Sequence, residues 1–274
     1  MMKKGTSRLA NHLALAMFFA VSSASAEELV VPGSGNNEFV VRELAKAFNA
    51  RQTQHRVTVP PSSGMAGAVR DVSEGVSSLG RVGRPLRDVE LAKGLAYLPL
   101  GRDAIAIAGG AAVTARKIST EQLKAVFSGK ITEWTALGGQ QAPIRVIGKE
   151  STDAIRSQIT AHFKDLAYAD TVKIAHLDTQ LLELLDRYPT SFAIINRSAL
   201  GACKTKVVTL ALDGVEPSLD NIANGRYPLI MEFGLIHKTT GLSPASKAFI
   251  EFIRSADGEK TLRSYGVVPK NTGP

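Results

Sequence analysis

The chain has 274 residues, 44% of them hydrophobic and 21% charged, with a formal charge of +8. That length exceeds a minimal single core and suits two lobes of roughly 100–150 residues, and the composition excludes global disorder. A single cysteine, Cys203, excludes an internal disulfide and is expected to pack as a small apolar side chain.

Residues 1–26 read as a secretory signal peptide. Lys3, Lys4 and Arg8 precede the apolar run Leu13–Val21, and Ala24-Ser25-Ala26 supplies a small-x-small site with cleavage expected after Ala26. The run is too short to cross a hydrocarbon core of about 30 Å, and no cysteine follows it to carry a lipid. The mature chain is therefore expected free in the periplasm or outside the cell, without a direct membrane anchor. Removing the three basic residues from 33 leaves 30 against 25 acids, a formal charge of +5. That excess favours an anionic solute at long range. It forms no basic run or aromatic-basic stripe, so no nucleic-acid partner is expected.

Short strands and amphipathic helices then alternate, as in layered α/β architectures. Leu29–Val31 is a strand closed by Pro32-Gly33-Ser34-Gly35, and Phe39, Val40, Leu44, Ala47 and Phe48 recur at helical spacing. His55–Val59 is a second strand, ended by Pro60-Pro61-Ser62-Ser63-Gly64, before a helix bearing Met65, Val69 and Val72. A third strand spans Ser77–Val82, followed by the turn Gly83-Arg84-Pro85-Leu86. The apolar runs Leu95–Leu100 and Ala104–Ala108 leave the first lobe as a connecting strand.

Ser119 opens a helix with the capping-box pattern Ser-Thr-Glu-Gln, stopped at Ser128-Gly129-Lys130. Pro143–Ile147 is a strand ending at Gly148-Lys149-Glu150-Ser151, and Ile155, Ile159 and Phe163 mark the helix after it. Tyr227–His237 is strand-like and is the expected route back to the first lobe. Ser243-Pro244 starts the next helix, with serine as cap and proline at the first helical position.

Four of these segments together resemble the phosphate-binding (PstS-like) solute receptors of bacterial ABC importers. Gly33-Ser34-Gly35 resembles the family's first Gly-Ser loop, and Pro60–Gly64 its second, serine-bearing loop. Gly80–Leu86 is similar to a segment written Gly-x-x-Ser-Arg-Pro-Leu. Leu123–Gly139 is similar to the family's helix and Trp loop, with Ile147–Ser151 where its Arg-Glu-Ser segment lies. The segment Val208–Pro228 and the closing Tyr265–Pro269 also match.

The resemblance implies a two-lobed type II periplasmic binding fold, each lobe an open mixed sheet flanked by helices, joined by two crossovers. Lobe 1 is expected at 27–105 and 229–274 and lobe 2 at 106–228, with the crossings near Asp103–Ala108 and Arg226–Ile230. It implies a monomer that holds phosphate or a related oxyanion in the cleft and delivers it to an ABC permease. Asn36, Ser62, Ser63, Arg84, Lys149 and Ser151 are the expected ligand contacts. Loops that open helices present free N–H groups and a positive dipole end to such an anion.

The departures from the family pattern fall in the cleft. Asn36 and Asn37 follow Gly35 where Thr or Ser is usual, and Gly83 replaces Ser or Asp. Where a relative reads Arg-Glu-Ser-Gly-Ser-Gly-Thr, this chain reads Lys149-Glu150-Ser151-Thr152-Asp153-Ala154-Ile155. Lysine exchanges a bidentate fork for a point charge, and Asp153 stands where a serine would. Asp153 is either a helix cap or a carboxylate that repels a doubly charged ligand. The site is accordingly expected to bind phosphate weakly.

Other chemistries fit poorly. Glu38 takes the place of the third glycine of a dinucleotide fingerprint. The five histidines show no metal-ligand spacing, and no Gly-x-Ser-x-Gly elbow is present. No cofactor, metal or catalytic residue is expected. The remaining alternatives are a receptor or sensor on the same fold and a phosphatase-like hydrolase. Arg81 and Arg84 either reach the cleft or pair with acids.

Overall fold

The computed structural model describes residues 27–204 and 206–270. The expected signal peptide and its cleavage site lie outside them. The chain opens with β1 (Glu27–Val30), α1 (Glu38–Asn49), β2 (His55–Thr58), α2 (Gly64–Ser73), β3 (Gly80–Val82) and α3 (Asp88–Leu91). β1 and β2 pair in parallel, and a bridge between Gly33 and Arg81 joins them to β3.

The two expected apolar runs, Leu95–Leu100 and Ala104–Ala108, fuse into one strand, β4 (Leu95–Gly109). After it come β5 (Lys117–Ile118), α4 (Thr120–Phe127), β6 (Arg145–Lys149), α5 (Ala154–His162), β7 (Lys173–Ala175), α6 (Asp178–Arg187) and β8 (Ser191–Asn196). A 3-10 turn at Arg197–Ala202 leads to β9 (Val208–Leu212) and α7 (Leu219–Ala223). The chain then returns through β10 (Ile230–Lys238) to α8 (Pro244–Arg254), α9 (Ala256–Ser264) and β11 (Val268–Pro269).

β4 divides the molecule. Leu95–Ala104 pairs antiparallel with β10, whereas Ile105–Gly109 pairs with β8, and β9 joins its opposite edge at Ile107–Gly109. The expected crossover strand is thus itself a member of both lobes' sheets. Apolar packing follows the same division. Val40, Leu44, Phe48, Phe233 and Phe249 centre one core, and Phe127, Trp134, Ile155, Ile159 and Phe192 centre another. Trp134 is fully buried, with its indole N–H donating to the Thr190 carbonyl at 2.8 Å. Cys203 is half-buried against the apolar side chains of the second lobe, and burial pushes its thiol up to about 12.

The caps that the sequence announces form as local chemistry requires. The Ser119 hydroxyl accepts the Gln122 N–H at 3.1 Å, and Gln122 Oε1 accepts the Ser119 N–H at 3.0 Å. Ser243 accepts from the Ser246 N–H at 3.2 Å, with Pro244 at the start of α8.

Beside the point where β4 changes partners lies fully buried Asp103. It accepts from the Ser198 hydroxyl at 2.5 Å and the Ser198 N–H at 3.3 Å, tying β4 to the 3-10 turn. Burial raises its pKa to about 7, against the lowering effect of Ser198. Between the ordinary carboxylate range and about pH 7 the folded protein keeps a proton that the unfolded chain has lost. Stability from this group therefore falls as pH rises through that window and is level above it. Asp103→Asn keeps an acceptor for the Ser198 N–H and is expected to flatten this slope. Thermal unfolding at about pH 4.5 and 7.5 checks it; an unchanged pH dependence in the variant would refute a near-neutral Asp103.

Candidate functional site

A cavity of about 330 Å³ lies where loops of the first lobe face loops of the second. One wall comes from Ser34, Gly35, Asn36, Ser62, Gly64 and Met65. The other comes from Lys149, Glu150, Thr152, Asp153 and Ala154 and from His176, Leu177 and Asp178.

The first wall is held from beneath by Arg81, which is fully buried. Its guanidinium donates to the carbonyls of Ser34 at 2.9 Å, Val31 at 2.5 Å and Pro60 at 2.8 Å, and to Glu38 at 3.3 Å. Burial lowers its pKa to about 10, so it stays charged at neutral pH while pinning both loops. The chain can run this close to Arg81 because residue 33 is glycine. Its φ is +138°, and a Cβ there would stand 2.1 Å from the Arg81 carbonyl oxygen.

Next along the loop, Ser34 Oγ donates to Asn36 Oδ1 at 2.8 Å. This turns the Asn36 amide so that its buried Nδ2 is left with no protein partner. Asn36 is 7% exposed, so an unpaired donor there is costly unless a ligand accepts from it. Ser62 Oγ donates to the Gly33 carbonyl at 3.2 Å and accepts from the Gly64 N–H at 3.2 Å, placing the second loop against the first.

The second wall is built on charge. Lys149, 4% exposed at the end of β6, donates to Asp178 Oδ1 at 2.8 Å and lies 3.4 Å from Asp153 Oδ2. Burial works against the ammonium, but the two carboxylates outweigh it and hold its pKa above the usual lysine value. Asp153 serves two ends at once. One oxygen caps α5 by accepting from Ile155 N–H at 2.8 Å and Arg156 N–H at 3.3 Å, and the other faces Lys149. Burial, aided by the charge of Asp178, raises its pKa despite Lys149. A protein carboxylate thus occupies the helix N-terminus that would otherwise attract an anion. With one ammonium facing two carboxylates, the Lys149, Asp153 and Asp178 cluster carries one net negative charge. Outside the cluster, the exposed Glu150 and His176 pair at 3.0 Å, which holds Glu150 below the usual carboxylate range.

Of the six residues expected to converge, Asn36, Ser62 and Lys149 line this cavity. Ser63 stands exposed at the N-cap of α2 without a side-chain cap bond. Ser151 is exposed in the turn before α5, where its carbonyl accepts from Ser157 Oγ at 3.5 Å. Arg84 is turned to Glu90, which accepts two of its N–H groups at 2.9 and 2.8 Å, and this pairing lowers Glu90 to about 2. Both arginines that sequence leaves between cleft and acid are therefore paired within the first lobe.

Sequence reasoning passed over Asp178, the closest partner of Lys149. Its one signal was an acid at the start of a Leu181, Leu182, Leu185 stripe, which reads equally well as an ordinary first-turn aspartate.

A family model described as PBP superfamily domain matches residues 20–257. The phosphate-binding protein PstS of Bacillus subtilis is 26% identical over 262 residues, covering 90% of this chain and 84% of that protein. Among solved structures, a putative phosphate ABC transporter substrate-binding protein from Clostridium perfringens, with bound phosphate, aligns with a TM-score of 0.75 and 24% identity. The alignment covers 89% of this chain and 100% of that one. An ABC-type phosphate transport receptor from Vibrio cholerae aligns with a TM-score of 0.63 and 22% identity, over 88% and 99% of the two chains. These likenesses establish the two-lobed type II periplasmic binding fold.

Proposed function

The chain belongs to the PBP superfamily domain family, and from that premise we propose that it is an extracytoplasmic solute-binding protein for a small oxyanion. It would hold that anion between the lobes and deliver it to an ABC permease, acting as a monomer and without catalysis. The observation that carries this reading is one cavity with a wall from each lobe, lined on one side by Asn36, whose buried amide N–H groups have no protein partner, and on the other by Lys149. Asn36, Ser62 and Lys149 are the proposed contacts, with Ser63, Arg84 and Ser151 at most peripheral to them. Hinge closure of the lobes then withdraws the anion from water.

We assign lobe 1 to 27–105 and 229–274 and lobe 2 to 106–228. The change of partners within β4 at Ala104 and Ile105 supports this division, and ligand-driven dihedral changes are expected near Asp103–Ala108 and Arg226–Ile230.

Titration calorimetry against phosphate, sulfate, small carboxylates and neutral sugars at fixed ionic strength tests the reading. Oxyanions should bind and neutral solutes should not, with phosphate weak. A protein that binds no oxyanion, or prefers a neutral solute, is not this receptor. Export is tested separately. Intact mass of protein from a periplasmic extract should begin at Glu27, and a full-length cytoplasmic chain would exclude it.

A further inference from the structure

A second cavity, of about 220 Å³, opens off the first and shares Gly35, Ser62, Leu177 and Asp178 with it. Its character differs. Phe39 on α1 faces Leu182 on α6, with Ala199 and Ala202 of the 3-10 turn and Pro61 completing an apolar lining. Charged groups rim this lining: Arg42 and Glu38 pair with each other, Asp186 accepts the Lys204 backbone N–H at 3.0 Å, and Glu183 and Lys204 also border it. Leu177, on the wall common to both cavities, is 49% exposed, a large apolar side chain left facing solvent.

From these features we propose that the cleft takes a singly charged organic oxyanion, its head group in the polar cavity and its apolar substituent between Phe39 and Leu182. This rests on the oxyanion reading and narrows it. Two independent observations support the choice. The Lys149, Asp153 and Asp178 cluster already carries one net negative charge, so each further charge on the ligand adds repulsion that a single charge keeps smallest. A bare inorganic anion would also leave the apolar annex wet, whereas a substituent displaces that water. Sites for organic ligands combine mostly apolar walls with a few convergent polar groups, as the joined cavities do.

The test uses the mature chain and three probes: sulfate, methanesulfonate and benzenesulfonate, titrated at one ionic strength. Sulfate against methanesulfonate isolates the effect of charge, and methanesulfonate against benzenesulfonate isolates the annex. Benzenesulfonate should bind at least about tenfold tighter than methanesulfonate, and methanesulfonate tighter than sulfate. Thr179→Trp, at an exposed annex position on α6, should erase the benzenesulfonate preference. Leu177→Asp, which places a charge on the shared wall, should do the same through different chemistry. Methanesulfonate or sulfate binding as tightly as benzenesulfonate overturns the inference and leaves the oxyanion reading standing. A preference that survives both substitutions also overturns it. No binding of sulfate, phosphate or either sulfonate overturns both.

Discussion

Lys149→Met should weaken oxyanion binding by at least about a hundredfold, the largest loss expected from any single substitution in the cleft. Methionine approximates the shape of the lysine stem but removes the charge. A hydrogen bond to a charged group contributes about 1.5–3 kcal/mol, and its loss is compounded because Asp153 and Asp178 then face the ligand uncompensated. The same change should lower stability, since removing one partner of a buried ion pair costs about 3–5 kcal/mol. Calorimetry and thermal unfolding on one preparation separate the two effects. Unchanged affinity in a folded variant would remove Lys149 from the site.

Asp153→Ser should act in the opposite direction. Serine also caps helices well, so α5 keeps an acceptor for its first N–H groups, and Asp178 remains to pair with Lys149 at 2.8 Å. What disappears is one negative charge at the helix N-terminus. At an effective dielectric of about 20 and a separation of about 5 Å, each ligand charge is relieved of roughly 3 kcal/mol of repulsion before screening. A doubly charged anion gains about twice what a singly charged one does. Sulfate affinity should rise by at least about tenfold, and its disadvantage against methanesulfonate should shrink or reverse. Titration of both anions checks this; no change in either would make Asp153 a cap and nothing more. Asp153→Ala, which loses the cap as well, should show the same shift in selectivity on a helix weakened by about 1 kcal/mol.

The readings that needed only neighbouring residues came out as the sequence had them. Ser119 and Gln122 are three residues apart, as are Ser243 and Ser246, so each cap is decided by backbone geometry within one turn. The glycine of the first loop is legible for a related reason, since a positive φ excludes most side chains. Alternating strands and helices gave the α/β class, and the resemblance of the ordered loops to a known family supplied the two-lobed fold that the solved structures share.

The chemistry of the cleft was decided otherwise. Lys149 finds Asp178 twenty-nine residues along the chain, on a helix whose start looked ordinary. Asp153 was read as either a cap or a cleft carboxylate, and it is both, because one carboxylate has two oxygens and the fold aims them differently. Arg84 is spent on Glu90, across the Pro85 turn, and the buried Arg81 holds two loops in place from below. The sequence by itself determined the capped helices and the strands it marked by alternation, and two of the loops that line the cleft, at Gly33–Asn36 and Pro60–Gly64. Tertiary structure alone decided which charges neutralise one another there, because ion pairing depends on distances between segments that no local pattern encodes.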